Sequence, residues 1–145
     1  MTLLFLDTDI IMDVFAERDP FYDAAAALLT IIENKQVFGC TSSLIFSNLY
    51  YVLRRLRDKT IAIRSLKKLY GLLHILPVEK KNIEFALQSD FTDFEDAIQY
   101  HTAVQNGVTH LITRNIKDYK AADRSIVTIC TADDYIKIRD ASQNT

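Results

Sequence analysis

Leu3-Leu4-Phe5-Leu6-Asp7-Thr8-Asp9 carries four consecutive apolar residues and ends on two carboxylates separated by one threonine. A run this short and this apolar reads as a buried strand of the kind found in parallel sheets covered by helices. Asp7 then stands at the carboxyl end of that strand. Open α/β sheets keep their ligands there, and rigid backbone holds the side chain in place.

Outward from this strand the chain alternates between helical and strand-like patterns. Ile10 to Ala16 reads as a short helix, Arg18-Asp19-Pro20 interrupts it, and Pro20 opens a second helix through Glu33, stopped by Asn34-Lys35. Gln36 to Cys40 is a short strand, and Thr41, Ser42 and Ser43 offer N-caps for a helix reaching about Arg57. Ile61 to Leu72 and Glu79 to Gln88 are further helices, flanking a strand at His74 to Val78 whose Pro77 suits a strand end. Thr92 to Asn106 is the clearest helix: Thr92 and Glu95 have capping-box spacing, and Gly107 stands where a left-handed C′ residue belongs. Val108 to Thr113 is a strand, Asn115 to Lys120 a loop or short turn, Ile126 to Ile129 a last strand, and Ala132 to Ile138 a closing helix. Strands alternating with helices imply right-handed crossovers. The expected fold is a single domain over residues 1–145, a three-layer α/β/α sandwich with a mostly parallel sheet of four to five strands.

The 145 residues are 49% apolar and 25% charged, the balance of a globular domain that folds on its own core. No apolar run approaches the roughly 18 residues of a membrane span, and no basic segment precedes the apolar start as in an export signal. Cys40 and Cys130 lack metal or disulfide spacing and read as buried hydrophobes, so a reducing cytoplasm is the expected compartment. The net charge of −2 excludes a generally basic nucleic-acid coat. Arg54, Arg55, Arg57, Lys59, Arg64, Lys67 and Lys68 nevertheless concentrate positive charge, either as a solvated helix face or as phosphate contacts.

Three polar clusters are candidates for chemistry. In the first, Asp7 is the site residue by position, with Asp9 as helix cap or outer support. In the second, Asp90-Phe91-Thr92-Asp93-Phe94-Glu95-Asp96, acids could simply complement a helix dipole. Asp93 and Asp96 are three apart and share a face, Glu95 points elsewhere, and the stripe through Tyr100 and Ala103 puts Asp96 at a buried edge. A half-buried carboxylate needs a cation or a donor. The third, Thr113-Arg114-Asn115-Ile116-Lys117-Asp118, follows a strand and so lies at the same sheet edge as Asp7, although turn chemistry alone would explain its composition. Together these clusters offer the oxygen-rich ligand set that Mg²⁺ or Mn²⁺ prefers.

Leu-Phe-Leu-Asp-Thr-Asp-Ile at 4–10, Asp-Phe-Glu-Asp-Ala-Ile-Gln-Tyr at 93–100 and Ile-Thr-Arg-Asn-Ile-Lys-Asp-Tyr at 112–119, with Ser42 to Arg55 between them, resemble the PIN-domain family. That family comprises metal-dependent ribonucleases, including VapC-like toxins of toxin–antitoxin pairs. The resemblance implies that Asp7, Asp96 and Asp118 bind Mg²⁺ or Mn²⁺ with Asn115 beside them, and that RNA is cut to a 3′-hydroxyl and a 5′-phosphate. It implies a homodimer and an antitoxin partner that blocks the cleft. Asp93, Asp9 and Thr113 are secondary candidates, and Arg54, Arg55 or Arg114 would hold flanking phosphates. Two departures stand out: Asp9 replaces a usual asparagine, and Asn48 replaces a usual glutamate on the third helix.

The neutral Asn48 leaves open a catalytically weak domain that binds RNA or protein. Asp7-Thr8-Asp9 also resembles the nucleophile motif of haloacid-dehalogenase-like phosphatases, with Lys117 and Asp133-Asp134 as the other parts, but that acidic pair follows the last strand instead of preceding it. His74, His101 and His110 are read as packing or surface groups. Tyr50, Tyr51, Phe15, Phe21 and Tyr22 are read as core or dimer contacts, not base-stacking platforms.

Overall fold

The computed structural model describes residues 1–143. Leu3–Leu6 forms β1, and its parallel neighbours are Phe38–Ser42 (β2) on one side and His110–Ile112 (β4) on the other. His74–Leu76 (β3) extends the sheet beyond β2 and Thr128–Cys130 (β5) extends it beyond β4, giving the order β3-β2-β1-β4-β5. All five strands are parallel. Leu4, Phe5 and Leu6 have no solvent exposure, as expected of a central strand covered on both faces.

The helices are Thr8–Phe15 (α1), Tyr22–Glu33 (α2), Ser43–Leu56 (α3), Lys59–Leu72 (α4), Lys80–Gln88 (α5), Phe94–Gln105 (α6) and Ala132–Gln143 (α7). From β1 the chain steps one way to β2 and β3, then returns past β1 to β4 and β5. Right-handed crossovers therefore put α1 to α4 on one face and α5 and α6 on the other. The reversal occurs between β1 and β4, and the crevice beyond their carboxyl ends is where such sheets bind ligands.

Local chemistry explains the boundaries. Ser42 is buried and accepts the Ile45 N–H at 3.0 Å, while Asp58 accepts the Ile61 N–H at 2.8 Å. These are N-caps for α3 and α4. Gly107 has φ +70° and ends α6 as expected; Lys35, with φ 60°, does the same after α2. Two expectations are corrected. Helix α6 begins at Phe94, because the Asp93 carboxylate accepts the Asp96 N–H at 2.9 Å and so takes the cap position assigned to Thr92. Helix α2 starts at Tyr22, two residues past a cis Asp19-Pro20 bond. Residues 116–119 form a 3₁₀ turn, the short turn expected between Asn115 and Lys120.

Ser42 is the best-placed cap, since it joins β2 directly to α3. Ser42→Ala is expected to lower stability by about 1–2 kcal/mol, read as a reduced midpoint in urea with an unchanged slope.

Candidate active site

Asp7 leaves β1 with extended backbone and becomes the N-cap of α1. Its Oδ1 accepts the Thr8 N–H at 2.8 Å, and its Oδ2 accepts the Thr113 hydroxyl at 2.9 Å and the Tyr119 hydroxyl at 3.2 Å. The parallel register sets Leu6 beside Ile112, which brings Thr113 alongside Asp7. Asp7 is thus the cap, the role the sequence left open for Asp9. Asp9 lies in the first turn of α1, where its Oδ2 accepts the Arg114 N–H and the Asn115 side-chain amide, each at 3.2 Å.

Asp7 and Asp9 share a cleft of about 390 Å³ with Asp93, Glu95 and Asp96 from the start of α6, and with Asn115 and Asp118 from the turn after β4. The Tyr119 hydroxyl spans the two main carboxylates, 3.4 Å from Asp96 Oδ1 as well as 3.2 Å from Asp7. Burial raises the Asp7 carboxyl above its ordinary range despite its three donors. Burial, then the Asp7 charge, pushes Asp9 up to about 6; burial, then Asp7, Asp93 and Asp118, pushes Asp96 up to about 7. Burial and the adjacent carboxylates raise Tyr119 further still, so it remains a hydrogen-bond donor.

These groups fit a hard divalent cation. Six carboxylates offer oxygen ligands, the acids repel one another, and Asp9 Oδ1 is buried with no hydrogen-bond partner. They line the cleft without closing into a cage: among the described residues no three His, Cys, Asp or Glu side chains are grouped tightly enough to hold an ion by themselves.

Several expected participants lie elsewhere. Asn48 is half-buried on α3 and does not line the cleft; Val52, one turn on, does. Glu95, read as pointing away, does line it. Arg54 and Arg55 are exposed and outside it. Arg114 is occupied by Asp13: its Nε lies 2.9 Å from Asp13 Oδ2, its NH2 group donates to Oδ1 at 3.0 Å, and its guanidinium stacks 4.0 Å over the Phe21 ring. It is a locking residue, not a free phosphate arm. Lys117 and Asp133-Asp134, the parts a phosphatase would need, are not in the cleft. None of the three histidines lines it either; His74 packs on Phe38, His110 on Tyr135, and His101 between Phe85 and Tyr100.

Three groups at or beneath the cleft lie outside the set expected from the sequence. Tyr119 lies beneath the cleft with its hydroxyl on Asp7 and Asp96, and the signal for it is the i+3 spacing from Ile116 on a short turn. Gln99, one turn beyond Asp96, lines the cleft with a buried, unpartnered Oε1, and the i+3 relation to Asp96 was the available signal. Arg18 is the lone cation among the described lining residues. In sequence it reads only as part of the Arg18-Asp19-Pro20 interruption.

Comparison with known proteins places the chain. The PIN-domain profile matches residues 4–117, from β1 to the turn that carries Asn115. The chain belongs to the PIN-domain family. Ribonuclease VapC1 of Aquifex aeolicus (strain VF5) is 30% identical to this PIN domain over 130 residues, covering 86% of this chain and 89% of that protein. This makes it a VapC-like member. Among solved structures, FitAcB from Neisseria gonorrhoeae superposes with a TM-score of 0.69 at 20% identity, covering 89% of this chain and 97% of that one. VapBC2 from Rickettsia felis, bound to a promoter DNA fragment, gives 0.65 at 18% identity over 88% and 98%. Mycobacterium tuberculosis VapC20, a sarcin-ricin loop cleaving toxin, gives 0.64 at 16% identity over 82% and 96%. At these identities the structural likenesses speak for the fold.

Two outcomes follow from this geometry. Folding raises Asp9 to about 6 and Asp96 to about 7, so the folded protein takes up protons more readily than the unfolded chain. In chelator, the PIN domain is expected to be most stable near pH 4 and to lose stability as pH climbs through 6 and 7; Mn²⁺ should restore the melting temperature at pH 7.5 and do little at pH 4.5. A Tm that rises from pH 4 to 7 without metal would contradict this. Separately, Arg114→Met strands the buried Asp13 charge and is expected to cost about 3–5 kcal/mol in chemical denaturation, while Asp13→Leu combined with Arg114→Met should recover most of it.

Proposed function

We propose that this PIN domain is a divalent-metal-dependent endoribonuclease, a VapC-like toxin whose activity an antitoxin protein restrains. The observation that carries the reading is the meeting of Asp7, Asp96 and Asp118, from three separate chain segments, at the switch point of the sheet in a cleft short of positive charge. The ribonuclease name of the Aquifex relative and the toxin–antitoxin complexes among the structural neighbours support the same reading.

Asp7, Asp96 and Asp118 are the proposed ligands for Mg²⁺ or Mn²⁺, with Asp9, Asp93 and Glu95 as outer charge and Asn115 and Thr113 holding the acids in orientation. A bound ion would supply countercharge for the scissile phosphate and a more acidic attacking water. Thr113 and Tyr119 keep Asp7 aimed into the cleft. Arg18 is the proposed contact for a flanking phosphate, replacing Arg54, Arg55 and Arg114, because it is the cation that borders the acids. Gln99 Oε1 is free to accept a hydrogen bond from an incoming water or ribose hydroxyl. Hydrolysis leaves a 3′-hydroxyl and a 5′-phosphate.

The weak-activity alternative rested on the missing charge at Asn48. Asn48 lies outside the cleft lining and Glu95 lies within it, so the count of cleft acids does not depend on that position. A homodimer belongs to the same reading; Ile83, Phe85 and Leu87 on α5 and Phe94 on α6 expose apolar surface for it.

Metal-dependent cleavage of RNA by the pure protein is the direct test. Wild type should cut with Mn²⁺ or Mg²⁺ and not in chelator, and Asp96→Asn should lose at least about a hundredfold in rate. Activity that persists in chelator or survives Asp96→Asn would sink the proposal. Tyr119→Phe should keep the fold but bind Mn²⁺ about tenfold more weakly by calorimetry, as expected for an outer partner that orients a ligand.

A further inference from the structure

Beside the acidic cleft lies a second cavity, of about 530 Å³, bordered by Asp13, Phe21, Asp23, Arg114, Asn115 and the first turn of α7 at Asp133. Asn115 lines both, so they share a wall. We propose that this cavity is a nucleobase subsite that selects an amine-bearing base, guanine above all, next to the bond being cut. The proposal rests on the ribonuclease reading and adds to it a determinant of RNA sequence.

The cavity has the two elements of base recognition. One is a flat, rigid platform. Arg114 is gripped through two of its nitrogens by Asp13, which has no solvent exposure, and its guanidinium lies 4.0 Å over the Phe21 ring. Phe21 is 41% exposed and stands outside the core, so of the two roles expected of it, core or dimer contact, the core role is excluded. An immobilised guanidinium and an aromatic ring are the surfaces on which unstacked RNA bases settle.

The second element is an acceptor edge. Asp133 is paired with Lys137 at 2.9 Å and Asp13 with Arg114, but the Asp23 carboxylate has no hydrogen-bond or ion-pair partner among the described residues. Three carboxylates against one guanidinium already neutralised by Asp13 repel phosphate. They suit a group that donates. Guanine offers N1–H and N2–H side by side, matching the two oxygens of a carboxylate; cytosine and adenine offer one exocyclic amine; uracil offers a single N3–H flanked by two carbonyls that the acid repels.

Binding of the four nucleoside 5′-monophosphates to wild-type protein in chelator tests this without any cleavage step. GMP is expected to bind at least about tenfold more tightly than UMP, with AMP and CMP between, and with shifts in the NMR signals of Phe21 and Ala24. Asp23→Asn should abolish the preference and leave UMP binding unchanged, while Phe21→Ala should weaken all four about tenfold. Equal affinity for GMP and UMP, a preference that survives Asp23→Asn, or no binding of any nucleotide overturns the subsite. RNA cleavage assayed on the same preparation separates the two readings: cutting without base selection removes the subsite alone, and selection without cutting removes the nuclease.

Discussion

The structure is organised around a carboxylate buried where a central strand ends. Asp7 is 7% exposed, and its charge is tolerated because the Thr8 amide and the Thr113 and Tyr119 hydroxyls point at it. Each donor comes from an element that must be placed first: the start of α1, the end of β4, the turn after it. Those donors do not fully offset the cost, as the raised carboxyl groups of Asp7, Asp9 and Asp96 show. A sheet built only for stability would not keep so many acids at one edge. The excess negative charge is the property that a cation would exploit.

Asp13 and Arg114 solve a neighbouring problem differently. Their bidentate pair ties the middle of α1 to the turn after β4, and the Phe21 ring covers the guanidinium from the start of α2. The turn that presents Asn115 and Asp118 is therefore clamped from beneath by charge and from the side by an aromatic face. Functional groups on a turn held this way lose little entropy when a ligand arrives.

Much of this was legible in the sequence because the signals were local. The apolar run at 3–6 located the central strand, Gly107 ended α6 with positive φ, and the polar stretch after the 108–113 strand marked the second wall of the cleft. What could not be read were relations across the fold. Asp93 outcompeted Thr92 for a cap by geometry that spacing alone does not distinguish. Arg114 looked like a phosphate arm because nothing in its neighbourhood announces Asp13, 101 positions earlier. Phe21 reads in sequence as a core or dimer-contact residue, yet its partner is a guanidinium and its surroundings a cavity. Arg18 and Gln99 gained their places only when α1, α2 and α6 were brought together.

The position of β1 has a consequence for how the molecule comes into being. β1 lies in the middle of the sheet, and one of its two neighbours, β4, follows it in the chain by about a hundred residues. The Thr113 hydroxyl that steadies Asp7 is 106 positions away, and Tyr119 is 112 away. Until the final third of the chain emerges, one edge of β1 stays unpaired and the acids of the cleft belong to unconnected segments. The cleft and the pairing of both edges of β1 thus depend on contacts more than a hundred positions apart, and a fragment ending before β4 has neither.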